Sequence, residues 1–273
     1  MRLFDSHCHL DIAEFDADRS EVLARARTSG VTSMVIPGID AARWDGLLAL
    51  CDTKEGLNPA LGLHPMFYKQ HTQQTDIKRL EEQLSENKLV AIGEIGLDFY
   101  DVQGGTNAEG VGMRRSGLNR ERGGEQLQYA LFESQLEIAR TAGLPVILHV
   151  RKAHEEVLKR LKKISVVGGT AHAFNGSVEL AKRYIDLGFK LGFGGMVTYE
   201  KSTKLRELVK KVPLESIVLE TDAPDMAPTL HHGARNSPEY LPEIAQMIAE
   251  IREISIDEVA KITTQNAKDV FNL

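Results

Sequence analysis

The chain has 273 residues, 42% of them hydrophobic, and its 33 basic and 39 acidic side chains leave a formal net charge of −6. That length and apolar fraction suffice for a large core and exclude a disordered chain. No apolar run approaches the roughly 20 residues of a bilayer span, the first residues lack a basic-then-apolar export pattern, and the acidic balance excludes a protein that coats nucleic acid through a broad basic surface. The segment Leu3-Phe4-Asp5-Ser6-His7-Cys8-His9 opens apolar and reads as a short strand, with His7 and His9 on one face and Cys8 on the other. Residues 16–29 have helical spacing and end at Gly30, 31–36 form a β-branched strand stopped by Pro37-Gly38, and 41–51 are helical. Strand 57–63, helix 76–86 and strand 89–94 follow. After a glycine-rich break come helix 125–142, strand 145–150 with His149, helix 153–163, strand 166–174 with His172 and helix 178–187. Strand 189–193, helix 203–211, strand 217–221 and two helices near 238–251 and 256–271 complete the chain.

Strands alternating with helices predict parallel βαβ units, and about eight pairs is the number that closes an α/β (β/α)8 TIM barrel. A doubly wound open sheet is the competing architecture. The positions of the chemically capable residues favour the barrel. His7, His9, His64, Glu94, His149, His172 and Asp222 all fall at or just beyond the C-terminal ends of different strands, and only a barrel gathers those ends into one ring. The expectation is one domain over 1–273, with 101–124 as a loop insertion after strand 4. That loop carries Arg114, Arg115, Arg120 and Arg122, and reads either as a solvated segment or as a phosphate-contacting lid. Cys8 and Cys51 form neither a disulfide framework nor a CxxC metal pair, so both read as structural and the cytoplasm is the default location.

A lone His-x-His is compatible with two hydrogen-bonded histidines, but four histidines and two carboxylates at strand ends are a ligand set for Zn, Mg or Mn. Six ligands exceed one tetrahedral ion. Two divalent metal ions per chain are therefore expected, with His7, His9 and Asp222 around the first, His149 and His172 around the second, and Glu94 bridging them.

The strings Asp5-Ser6-His7-Cys8-His9-Leu10, Gly62-Leu63-His64-Pro65, Gly93-Glu94-Ile95-Gly96-Leu97-Asp98, His172-Ala173-Phe174 and Glu220-Thr221-Asp222-Ala223-Pro224, with His149 and Arg235-Asn236-Ser237-Pro238, resemble the TatD family of metal-dependent hydrolases. Those metal-bearing barrels belong to the amidohydrolase superfamily, and the resemblance covers nearly the whole chain. It implies a deoxyribonuclease that removes nucleotides from a 3′ end, so DNA ends or single-stranded DNA are the expected partners, with no membrane involved. The long Gly/Arg loop departs from the family pattern.

At such a two-metal centre the expected chemistry is in-line attack on phosphorus by a metal-generated hydroxide. Asp222 is the candidate base and Glu94 the shared carboxylate. His64 is read as a phosphate donor, or else as packing under Pro65. Glu220 is read as a substrate contact, a ligand-orienting group or a buried salt-bridge partner. Arg151 and Lys152, which follow His149 onto the same face, are read as phosphate contacts or as solvated bases at a helix start. Asp98 is expected to hold a His or Arg, Asn175 to cap the following helix, and Arg235 to tether the loop after strand eight. The same hydroxide would serve a small ester, lactone or amide, which is the alternative function.

Overall fold

A computed structural model describes residues 1–100 and 122–273, so most of the expected 101–124 loop lies outside the described residues. Its last three residues begin a helix instead. Eight strands, β1 (Leu3–Asp5), β2 (Val31–Pro37), β3 (Leu57–Leu61), β4 (Ala91–Asp98), β5 (Val146–Arg151), β6 (Gly169–Ala171), β7 (Phe189–Phe193) and β8 (Ile217–Leu219), pair in parallel in sequence order. The ends of that sheet meet. Ser6 N–H donates to the Leu219 carbonyl and Asp222 N–H to the His7 carbonyl, each at 2.9 Å, which closes a (β/α)8 barrel.

The crossovers are α1 (Arg19–Thr28), α2 (Trp44–Thr53), α3 (Gln73–Glu86), α4 (Arg122–Ala142), α5 (His154–Lys163), α6 (Val178–Ile185) and α7 (Thr203–Lys211), followed by α8 (Leu241–Arg252) and α9 (Ile256–Phe271). Among the described residues, no helix is long and apolar enough to cross a membrane.

Period-two alternation divides the apolar residues into two groups. Phe4, Val35, Ile147 and Val218 form one buried cluster, while their neighbours Leu3, Ile36, Leu148 and Leu219 pack in the larger core shared with the helices. Helix α9 joins the smaller cluster, with Phe271 stacked on Phe4 at 6.2 Å between ring centroids.

Where pattern and fold differ, the reason is pairing. Strand β4 runs past Glu94 to Asp98 because Ile95 to Asp98 find partners in Leu148 to Arg151, so Glu94 lies within a strand rather than at its end. Strand β1 stops at Asp5, and residues 6–9 turn into the barrel mouth. Ser177, not Asn175, caps α6, accepting from Leu180 N–H.

Candidate metal centre

The centre is built around Glu94, which is 1% exposed. Its Oε2 lies 3.1 Å from His7 Nε2 and 3.4 Å from His9 Nε2, and its Oε1 lies 3.1 Å from His64 Nε2 and 3.0 Å from His149 Nδ1. One carboxylate therefore faces two separate pairs of imidazoles. Asp222 Oδ1 stands 3.6 Å from both His7 Nε2 and His9 Nε2, which are 3.1 Å from each other. Bonds of 2.0–2.1 Å to a tetrahedral ion separate its donors by about 3.3–3.4 Å, so His7, His9 and Glu94 have the spacing of one divalent site, with Asp222 beside its two imidazoles. Glu94 Oε2 is buried and accepts no hydrogen bond among the described residues, as expected of an oxygen reserved for a cation. These residues fit a metal.

The outer hydrogen bonds of His9, His149 and His64 decide which nitrogen carries the proton. His9 Nδ1 lies 3.2 Å from the Pro37 carbonyl, His149 Nε2 lies 2.9 Å from Asp98 Oδ2, and His172 Nδ1 lies 3.0 Å from Glu220 Oε1. In His9 and His149 a neutral ring donates to that oxygen and turns the lone pair of its other nitrogen inward, as metal-binding histidines do. His172 Nδ1 is near Glu220 but makes no hydrogen bond among the described residues. His172 Nε2 faces Asp222 Oδ2 at 3.6 Å, and its ring stacks on His7 at 3.8 Å. His64 has the opposite tautomer. Its Nδ1 accepts from Met66 N–H at 3.1 Å, so the neutral ring carries its proton on Nε2 and points a donor, not a lone pair, into the centre.

The electrostatics follow from burial and from the carboxylates among the imidazoles. Burial opposes charge on His9, His149 and His172, yet the carboxylates beside them hold their pKa values at about 9, 9 and 10. Burial lowers His7 and brings His64 down to about 4, which keeps both neutral. Burial also works against the charge on Glu94, but His64 and His7 outweigh it and hold that carboxyl well below its usual range. Asp222 is pushed up to about 6 by burial, against His172 and His9.

Other groups hold the donors in place. Asp5 accepts from Thr221 Oγ1 (2.5 Å), Thr221 N–H (3.0 Å) and His7 N–H (3.2 Å), joining the two segments that carry His7 and Asp222. Gln128 Oε1 accepts from Asp98 N–H at 2.8 Å while its Nε2 donates to the Asp98 carbonyl at 2.9 Å. Gln135, two turns further along α4, accepts from Leu63 N–H at 2.7 Å, and His71 Nε2 lies 3.0 Å from the His64 carbonyl. Sequence reading missed both glutamines and His71; the available signal was two amides seven residues apart on the apolar face of a helix.

The profile of a family described as TatD related DNase matches residues 4–272. The chain belongs to that family. YabD of Bacillus subtilis is 33% identical over 99% of this chain and 99% of its own, and YjjV of Escherichia coli K12 is 34% identical over 100% and 98%; both are named uncharacterized metal-dependent hydrolases. The crystal structure of YjjV, titled a TatD homolog, matches with a TM-score of 0.88 at 34% identity, covering 100% of this chain and 98% of that one. A TatD family hydrolase from Entamoeba histolytica, at 19% identity over 99% and 98%, shares the fold with a TM-score of 0.81. The chain is thus a metal-dependent hydrolase.

Within this TatD frame all seven strand-end candidates converge. His64, and not His172, is the second imidazole beside His149 on Glu94, while His172 lies over His7. Glu220 cannot be a substrate contact. It is 0% exposed beneath His172, in space that exists because residue 192 is glycine: a Cβ there would meet Glu220 Oε2 at 2.1 Å. Arg151 is exposed at the end of β5, Asp98 holds His149, and Arg235 tethers its loop through two hydrogen bonds to Asp18 of 2.9 and 2.7 Å.

Proposed function

We propose that this TatD hydrolase is a 3′-5′ exodeoxyribonuclease working at a centre of two divalent ions, Zn, Mg or Mn, on DNA ends or single strands. His7, His9 and Asp222 would hold one ion and His149 and His172 the other, with Glu94 as the carboxylate that would serve both. The observation that carries the reading is the division among the imidazoles: His9 and His149 have an outward hydrogen bond that leaves a lone pair inward, whereas His64 has one that leaves an N–H inward. When bound, two divalent ions supply a nucleophile from water near neutral pH and neutralise charge on the phosphoryl oxygens.

The protein groups do the rest. His64 Nε2–H donates to a phosphate oxygen, and burial keeps that ring neutral so the proton stays available as a donor. Asp222, at 13% side-chain exposure, is the group that takes the proton from attacking water. Glu220 fixes His172 from below, and Arg151 meets the phosphate chain at the rim. The free, buried thiols of Cys8 and Cys51 fit a reducing compartment, and the cytoplasm is the location that goes with this reading.

Digestion of 3′- and 5′-end-labelled single strands, with and without chelator, beside a panel of lactones and esters, tests the proposal. Expected are metal-dependent shortening from the 3′ end and negligible turnover of the panel. Turnover of small esters alone would replace the nuclease with the alternative hydrolase.

A further inference from the structure

At the rim beside His149, two cations share one aromatic ring. The Arg151 guanidinium carbon lies 3.7 Å from the centroid of the Tyr100 ring, and Lys152 Nζ lies 4.6 Å from it. Successive strand residues ordinarily point to opposite faces. Lys152 departs from that rule because it adopts a left-handed backbone, φ 54°, which brings its ammonium round to the ring that Arg151 already covers. Both side chains are exposed.

Most other arginines of the described surface are committed. Arg25 pairs with Glu239, Arg79 with Asp45, Arg160 with Glu133, Arg183 with Glu155 and Arg235 with Asp18. Arg151 and Lys152 meet no carboxylate within 4 Å and donate no side-chain hydrogen bond among the described residues, although the chain is acidic overall. Two exposed cations with no ion pair among the described residues, held over one ring beside the centre, are placed for an anion.

The ring they cover is also fixed relative to the centre. Tyr100 N–H donates to Asp98 Oδ1 at 2.8 Å, and the other oxygen of that carboxylate lies 2.9 Å from His149 Nε2. Arg151 is two residues beyond His149 on the same strand, about 6.6 Å along it. This offset approximates one nucleotide of extended backbone.

We propose that Tyr100, Arg151 and Lys152 form a platform for the phosphate next to the scissile one, so that the enzyme selects a polynucleotide chain over an isolated phosphodiester. The inference rests on the nuclease reading above, which assigned Arg151 to the phosphate chain, and adds the Tyr100 ring that gathers Arg151 and Lys152 and the adjacent phosphate that they select. The platform acts by charge and leaves base identity unread.

The test uses metal-loaded enzyme and a fluorescent single strand whose 3′ linkages are cleavage-resistant phosphorothioates, with affinity followed by anisotropy across a salt series. Each single-strand phosphate contact contributes about 0.7 to the slope of log affinity against log salt. Lys152→Ala is expected to reduce the slope by about that amount and weaken binding roughly three- to tenfold at low salt. Lys152→Arg should restore both, which a merely structural role would not produce. On unmodified strands, kcat/KM should fall about tenfold further for Lys152→Ala than it does on bis(p-nitrophenyl) phosphate. A wild-type slope in an Arg151→Ala, Lys152→Ala double variant that keeps its circular dichroism would overturn the platform, even if strands are still cleaved. The expected slopes without cleavage of normal strands would instead sink the nuclease reading and leave the platform standing.

Discussion

The two sides of Glu94 are built differently. On the β1/β8 side, His7, His9 and Asp222 lie within a few residues of strand ends that hydrogen-bond to each other, and the Asp5–Thr221 contact locks that junction from inside. On the β3 to β5 side, His64 and His149 are held by side chains from elsewhere: Asp98 behind His149, Gln128 behind Asp98, Gln135 before His64 and His71 after it. One side is set by the barrel's own backbone. The other takes its geometry from α4, the helix that follows the 101–121 segment, so it can be loosened without opening the barrel.

Removing the group common to both sides should have the largest effect. Glu94→Gln takes away the carboxylate that, alone among the described residues, faces both imidazole pairs, and is expected to lower turnover by about three orders of magnitude or more. Metal content should fall with it. Metal analysis beside oligonucleotide turnover checks this, and a variant with full metal and normal rate would remove Glu94 from its bridging place.

A smaller and one-sided loss is expected from α4. Gln128→Met keeps the length of the side chain but leaves Asp98 N–H and C=O buried without partners, which costs about 1–3 kcal/mol each at most. The thermal midpoint should drop while the barrel's circular dichroism persists, and turnover should fall about 10- to 100-fold, the usual effect of losing an outer-shell partner. Crystallographic occupancy should fall at His149 and stay unchanged at His7 and His9. Equal loss at both sites would erase the contrast between the two sides.

The mildest test is pH. In metal-free protein, the carboxylates raise His9, His149 and His172 from 6.5 to about 9, 9 and 10. A histidine whose pKa is raised by folding contributes stability that is fully present below pH 6.5 and is lost as pH climbs through its folded value. Metal-free protein should therefore melt at progressively lower temperature from pH 6.5 to about 9. Metal-loaded protein has no such protons to lose, and its ligands bind more tightly as proton competition ends. The gap between the two melting curves should widen across that window; parallel curves would mean the three imidazoles are not charged in the empty site.

Sequence reading reached the features that depend on local order. Periodicity and strand spacing gave the barrel, since alternating apolar residues and helix-capping residues act over a few positions, and helix α7 falls where expected at Thr203–Lys211. The His7/His9 pair was legible as a His-x-His spacing whose rings do meet, although β1 ends at Asp5 and the strand that the spacing was read on does not reach them. What escaped depends on contacts across the fold. The tautomer of His64 is set by Met66 N–H after a turn that composition does not disclose. The burial of Glu220 requires Gly192 on the neighbouring strand, and a period of two from Asp222 gave no hint of it. The amide clamps at Gln128 and Gln135 come from tertiary pairing that leaves only polar residues on an apolar face.

Distant segments converging on Glu94 to make two neighbouring ion sites is the claim on which the proposed chemistry depends, and ion stoichiometry reads it directly. Mass-spectrometric metal analysis of folded wild type and His149→Ala, after equilibration with a single divalent metal, is expected to give two ions per chain in the first and one in the second. Two ions in both proteins, or one in both, would contradict it.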